Sequence, residues 1–365
     1  MVYPPPSEEL WAGTPERRRA TAMHQRTTSG SLRSSPTWEG LHRWLREAIQ
    51  KLLQAALEAE EAADPCGECD SAAAAGPRPG GAVPQPDPAP VRALDGAEMV
   101  ILAVTSEGAL AVLERAHTLM RPGVPLLVAS KGLVASNGRV MTLSMAIRER
   151  WEARVVTIGG PSKAVELARR VPTEVIYASP DAQAVGQACE WMETSYYRVH
   201  QSADQQGLEL CSALKNAYAI AVGLCDGLVA AGRAEALYNL KAALFSHAIE
   251  EMEILGRSVG IHARTFYGLG GVGDLFVTAV AGRNRRFGEM RGRGLPTAMV
   301  VERLKTTDEL TEGYAAIRWC WQFAEEHAAS ERVPLLRALY RIVYEEADPA
   351  RELWLLVSGG STARA

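Results

Sequence analysis

The sequence predicts an α/β protein, a doubly wound parallel sheet followed by an all-α C-terminal domain. Three observations carry that reading. Short apolar runs of strand length alternate with helical patterns from Val91 onward, and the pattern turns helical beyond Asp204 almost to the end. The prolines crowd the first quarter: 12 of 20 fall in residues 1–90, which hold only 7 of the 32 glycines. The expected organisation is an atypical Pro-rich region over 1–90, a sheet domain over 91–203 and a helical domain over 204–357.

The elements follow in order. Residues 1–36 are rich in Pro, Ser, Thr and Arg without a sustained period. Leu41, Trp44, Leu45, Ile49, Leu52 and Leu53 recur at three and four, which predicts an amphipathic helix from Trp38 to about Ala63. Seven prolines and four glycines in residues 64–90 read as a linker. Met99–Val104 has the continuous apolar texture of a buried parallel strand, and a helix is expected after it through Leu119. Pro122-Gly123 then leads into a second run, Pro125–Ala129. Strands over Arg154–Ile158 and Thr173–Ala178, with helices over Leu143–Trp151 and Ser162–Val171, extend the alternation. Beyond it, helices are expected over 205–224, 235–259, 273–281, 297–304, 312–328 and 333–345.

Composition limits the function classes. A chain of 365 residues that is 47% hydrophobic can bury a sizeable core, and a net charge of −4 does not suit a basic nucleic-acid binder. No apolar run reaches the roughly 18 residues of a spanning helix, so no membrane partner is expected. The start, Met1-Val2-Tyr3-Pro4-Pro5-Pro6, lacks the basic and apolar regions of a secretory signal. Six cysteines in this length do not suggest a disulfide scaffold, which fits a cytoplasmic protein. Cys189, Cys211, Cys225 and Cys320 sit in apolar helical patterns and read as small core residues. Cys66-Gly67-Glu68-Cys69 has metal-ligand spacing, but no second pair or nearby His completes it, and no metal site is expected.

The chemistry concentrates in a few places. Lysine is scarce, six against 33 arginines. Lys215 lies in an otherwise apolar or small stretch, Leu210–Ile220, where an unpaired ammonium would be costly. Either it reaches solvent from an exposed face, or a partner and a pocket hold it. Lys131, in Ser130-Lys131-Gly132, follows a strand, and ligands of open α/β sheets bind at strand C-terminal ends. Gly159-Gly160-Pro161-Ser162 also follows a strand, with Ser162 the natural N-cap of the next helix. Gly268-Leu269-Gly270-Gly271-Val272-Gly273 matches the dinucleotide pattern GxGxxG, but it lies in the helical half with no strand before it, and the match is rejected. Asp274 opens a helical run, and Arg283-Asn284 nine residues later either suits phosphate oxygens or belongs to a solvated basic face continued by Arg291 and Arg293.

Ala129-Ser130-Lys131-Gly132, Gly160-Pro161-Ser162, Glu209–Asn216, Cys225-Asp226-Gly227-Leu228, Gly271–Leu275 and Gly282–Gly288 come in the order of one family, continued by Glu312-Gly313-Tyr314 and the Pro334 helix. Together they resemble the NAD(P)-dependent glycerol-3-phosphate dehydrogenases over about Val91–Leu353. The resemblance implies a partial Rossmann-like domain, NAD or NADP as cofactor, a small phosphorylated three-carbon substrate, and allows a homodimer. It also assigns roles. Lys215 is the catalytic lysine and Asp274 a carboxylate in its cluster. Lys131, Gly160, Ser162, Asn216, Thr278, Arg283 and Asn284 contact substrate, while Lys131, Ala164, Arg283 and Glu312 contact cofactor.

The chain departs from the family pattern in three places. The family's opening strand and Gly-rich pyrophosphate turn have no counterpart in residues 1–90, where at most Leu10–Arg17 is similar to the end of the second strand. The chain would then begin after the first βα unit, or reflect a shifted start or frame. Thr105 replaces the usual Pro or Asn, and residues 228–240 carry a short insertion. The resemblance implies an oxidoreductase interconverting sn-glycerol 3-phosphate and dihydroxyacetone phosphate. The alternative is a non-catalytic relative that binds a small phosphate ligand.

Overall fold

The structure, a computed structural model, describes residues 94–261, 264–280, 282–306 and 312–358. The Trp38–Ala63 helix, the 64–90 linker, Cys66 and Cys69 lie outside the described residues. The sheet half runs β1 (Val100–Leu102), α1 (Ser106–Ala116), β2 (Pro125–Val128), β3 (Leu133–Ser136), β4 (Arg139–Thr142), α2 (Leu143–Arg150), β5 (Arg154–Gly159), α3 (Ala164–Ala168), β6 (Thr173–Ala178), α4 (Ala182–Met192) and β7 (Tyr197–Ser202). The helical half follows with α5 (Gln205–Ala230), α6 (Tyr238–Ser258), α7 (Arg264–Tyr267), α8 (Asp274–Val280), α9 (Arg283–Gly292), α10 (Thr297–Thr306), α11 (Glu312–Glu326), α12 (Pro334–Tyr344) and α13 (Pro349–Val357).

The main sheet has the order β1-β2-β5-β6-β7. Alternate side chains of a strand point to opposite faces, so the apolar runs feed two cores. Leu126, Val128 and Val155 pack on one face with Leu110, Leu143 and Ile147. Leu127 and Val156 pack on the other with Val175, Tyr177, Val185 and Val199. Burial on both faces explains why β2 and β5 read as unbroken apolar runs rather than as alternation, whereas β1, expected to be buried, lies at the sheet edge with Ile101 exposed.

The sheet is predominantly parallel, as expected, with one antiparallel pair. β1, β2 and β5 are mutually parallel, as are β6 and β7, but β5 and β6 pair antiparallel through Thr157 and Ala178. The connection between β5 and β6, residues 160–172, carries little helix. A helix was expected over Ser162–Val171, yet α3 holds only Ala164–Ala168, because Arg170 takes φ +59° and Pro172 cannot continue a helix. The N-cap of α3 is Lys163, without a side-chain bond, and not Ser162 as the sequence suggested.

Several elements went unpredicted. β3 and β4 form a hairpin around Asn137 (φ +52°) and Gly138 (φ +74°), the Asn-Gly turn that best matches strand twist. α4, β7, α7, α9 and α13 were likewise missed. The predicted helices of the C-terminal half were found within a few residues of their expected bounds, except that α5 continues to Ala230. By length and composition α5 could cross a membrane, but 78% of that stretch is buried inside the fold.

α5 is the axis of the helical core. Its N-terminus is tied to the sheet: Gln205 donates to Val155 O and Thr157 Oγ1, both at 3.0 Å, and Glu209 accepts from Ser144 N at 3.0 Å and from the Ser144 hydroxyl. Cys211, Cys225 and Cys320 are free and buried in this core, and Cys189 is free and buried in the sheet half. The first N–H groups of α12 are met from a distance. Glu251 of α6 accepts from Leu335 N at 2.5 Å, Leu336 N at 2.9 Å and the Tyr218 hydroxyl at 2.9 Å.

Burial pushes the Glu251 carboxyl up to about 7, although its three donors favour the anion. An acid raised in the folded state holds a proton that the unfolded chain has released, so its contribution falls as pH rises from about 4.5 to about 7. Glu251→Gln is expected to flatten this part of the stability–pH curve and to destabilise by about 2–3 kcal/mol through a mismatched donor. Chemical denaturation at a series of pH values between these limits checks both; an unaltered slope would refute the titration.

Candidate active site

α5 places Lys215 and Asn216 one after the other on its buried middle, α8 begins at Asp274, and α9 begins at Arg283. Asp274 is 1% exposed and joins the two lysines that the sequence singled out. Its Oδ1 accepts from Lys215 Nζ and its Oδ2 from Lys131 Nζ at 3.1 Å. The open question about Lys215 is thereby decided: a partner and a pocket hold it. Lys131 reaches Asp274 from the loop after β2, in line with strand ends being ligand edges.

The electrostatics follow from this shared carboxylate. Burial and the neighbouring Lys131 charge push Lys215 down to about 8, against the pull of Asp274. Burial also disfavours a charged Lys131, but Asp274 and its hydrogen bond outweigh that and leave Lys131 above its ordinary value. Of the two amines, Lys215 is therefore the one poised to exchange a proton near neutral pH.

A cavity of about 170 Å³ opens beside this cluster. Lys215, Asn216, Asp274, Ser162, Thr278, Arg283, Asn284 and Glu312 all line it. Side chains brace its far end: Asn284 donates to Asn216 Oδ1 at 3.0 Å and accepts from Gly313 N at 2.8 Å, while Asn216 donates to Glu312 Oε2 at 3.0 Å. Thr278 donates to Asp274 O at 2.7 Å, one turn along α8. Arg283 is exposed at the first turn of α9, next to the free N–H groups of the helix start. Gly282 before it has φ +156° and ψ 174°, a conformation close to glycine-only, so the entry into α9 needs this residue.

Lys131 is not in the cavity wall but bonds to it through Asp274. Gly160, with φ +102°, shapes the turn after β5 without lining the cavity, and Ala164 is exposed at the start of α3. Sequence reasoning missed Lys163, Val277 and Gly282 as lining residues. Lys163 had a signal available, being one of only six lysines and adjacent to Ser162.

A dinucleotide would meet the C-terminal edge of the sheet. The loops after the parallel β1, β2 and β5 bring Thr105, Lys131 and Gly160–Ser162 to one edge of the sheet, and Lys131 adjoins the cavity. That edge fits the nicotinamide end. Among the described residues no strand leads into a three-glycine turn, and Gly268–Gly273 follows the helix α7. Its glycines serve packing instead, since a Cβ at Gly271 would meet the backbone of Phe266.

Comparison with known proteins agrees with this geometry. Residues 85–185 match the family model described as the N-terminus of NAD-dependent glycerol-3-phosphate dehydrogenase, and residues 204–353 match its C-terminus. The chain is 33% identical over 258 residues to an NADP(+)-dependent glycerol-3-phosphate dehydrogenase of Archaeoglobus fulgidus, covering 70% of this chain and 76% of that protein. It is 34% identical over 272 residues to a glycerol-3-phosphate dehydrogenase [NAD(P)+] of Geobacillus kaustophilus, covering 73% and 76%. The crystal structure of a glycerol-3-phosphate dehydrogenase from Coxiella burnetii superposes with a TM-score of 0.65 at 30% identity, over 73% of this chain and 79% of that one. The chain belongs to the NAD-dependent glycerol-3-phosphate dehydrogenase family.

Proposed function

We propose that this cavity interconverts sn-glycerol 3-phosphate and dihydroxyacetone phosphate with NAD(H) or NADP(H), Lys215 moving the proton and Arg283 with Asn284 holding the phosphate. The observation that carries these roles is the pairing of a buried, downshifted lysine on Asp274 with an arginine at a helix start in one small cavity. When bound, the nicotinamide supplies or accepts the hydride at the substrate C2. In the oxidising direction, neutral Lys215 takes the C2 hydroxyl proton as the C2–H bond breaks. In the reducing direction, the ammonium returns it to the carbonyl oxygen. Asp274 holds Lys215 in place, and Lys131 adds positive charge where the oxygen becomes anionic. Lys131 and Glu312 would hold the nicotinamide end, with Ala164 and Arg283 nearby. The division into a cofactor half over 91–203 and a substrate half over 204–357 is part of this reading, as are a cytoplasmic homodimer and the absence of nucleic-acid or membrane partners.

The test is dihydroxyacetone-phosphate-dependent oxidation of NADH or NADPH by the full chain. Absence of turnover with both cofactors would sink the proposal in favour of the non-catalytic alternative, which has no observation in its favour. Arg283→Ala should raise KM for dihydroxyacetone phosphate by about 10- to 100-fold, the worth of a charge-assisted contact, with a smaller change in kcat. An unchanged KM would move the phosphate elsewhere in the cavity.

A further inference from the structure

Lys163 lines the same cavity and is half-buried there. Among the described residues it pairs with no acid, whereas Lys131 and Lys215 share Asp274 and Lys241 is held by Asp226. Arg283 is likewise without an acid partner among the described residues. The two acids of the wall are already engaged: Asp274 by two ammonium groups, Glu312 by the Asn216 amide. Two cations thus face the cavity without an acid partner among the described residues. Lys163 comes from the loop after β5 and Arg283 from the start of α9, so the two approach the cavity from different parts of the chain.

A phosphate monoester carries about −1.5 to −2 charges near pH 7. One guanidinium leaves much of that charge unmatched in a partly enclosed site, and a flexible ammonium supplies the complement as a point charge. We infer that Lys163 is a second ligand of the substrate phosphate, acting with Arg283. This rests on the functional reading above but concerns only the phosphate end. The same chemistry could instead serve a phosphate of the cofactor, since α3 begins with Ala164; the substrate is the source inferred here because Arg283, Asn284 and Lys163 line one small cavity together.

The test compares wild type, Lys163→Ala, Lys163→Arg and Arg283→Ala as full chains. Calorimetric titration with inorganic phosphate, and separately with NADH and NADPH, is followed by steady-state kinetics. Lys163→Ala should weaken inorganic phosphate and raise KM for dihydroxyacetone phosphate by about ten-fold or more, with kcat nearly unchanged. Lys163→Arg should restore most of both. Affinity for NADH and NADPH should stay the same, as should thermal stability, since Lys163 pairs with no acid among the described residues. The inference is overturned by phosphate binding that is absent in wild type or unaffected by Lys163→Ala. A loss confined to the dinucleotide, or an equal loss for phosphate and dinucleotide, overturns it too. Phosphate titration needs no turnover, so a failure of the enzymatic reading leaves this outcome separately readable.

Discussion

Lys215→Ala is expected to lower kcat by about 10²- to 10⁴-fold in both directions, the usual worth of a positioned acid–base group. The wild-type pH profile gives the sign of its role. With Lys215 held near 8, oxidation of glycerol 3-phosphate requires the neutral amine and rises with pH through about 8, while carbonyl reduction requires the ammonium and falls over the same range. The neighbours then shift this limb in opposite directions. Lys131→Met removes a positive charge that opposes protonation and should move the limb to higher pH. Asp274→Asn removes the negative charge that supports the ammonium and should move it lower. The asparagine variant also leaves two ammonium groups facing each other in a buried site, a loss of about 3–5 kcal/mol in stability. Steady-state pH profiles of kcat with thermal melts separate the two effects. Limbs that move together in both variants would exclude Lys215 as the titrating group.

The second large effect is expected far from the reacting atoms. α5 and α9 cross backbone to backbone through reciprocal glycines four residues apart, Gly223 with Gly227 on one helix and Gly288 with Gly292 on the other. A Cβ at Gly223 would meet the Arg285 carbonyl oxygen, one at Gly227 that of Glu289, one at Gly288 that of Ile220 and one at Gly292 that of Leu224. These neighbours are main-chain atoms, so relief requires the helices to part. Gly223→Ala or Gly288→Ala should cost about 3 kcal/mol, the upper end for overpacking. Parting the helices also stretches the 3.0 Å bond between Asn284 and Asn216 that braces the cavity, so KM for the phosphate substrate should rise with the loss of stability. Gly186→Ala on α4 is the control, because nothing lies within 4 Å of its Cβ. It should be neutral or stabilising by about 0.5–1 kcal/mol. Equal effects at Gly186 and Gly288 would show that helix propensity, and not the close crossing, governs both.

The helical half was legible because its apolar positions repeat at the helical period over long stretches, and periodicity is a local property. The sheet half was legible where burial on both faces made unbroken apolar runs, as in Pro125–Val128, and less so where strands are flanked by mixed residues, as in Tyr197–Ser202. The β3–β4 hairpin was readable from Asn137-Gly138 and was overlooked.

The sequence alone determined the cast of chemical groups and their order: a lysine where charge is costly, a carboxylate opening a helix, an Arg–Asn pair nine residues further on, whose place at the start of α9 only the structure supplied. It could not determine which group pairs with which. Lys215 and Lys131 meet Asp274 across 59 and 143 residues of chain, and that convergence depends on how α5, α8 and the loop after β2 pack together. The antiparallel pairing of β6 with β5 is likewise a tertiary fact that the alternation of strand and helix patterns did not reveal. Local patterns follow from the geometry of neighbouring residues; the shared carboxylate, the glycine crossing and the meeting of Lys163 and Arg283 at one cavity exist only once distant segments are brought together.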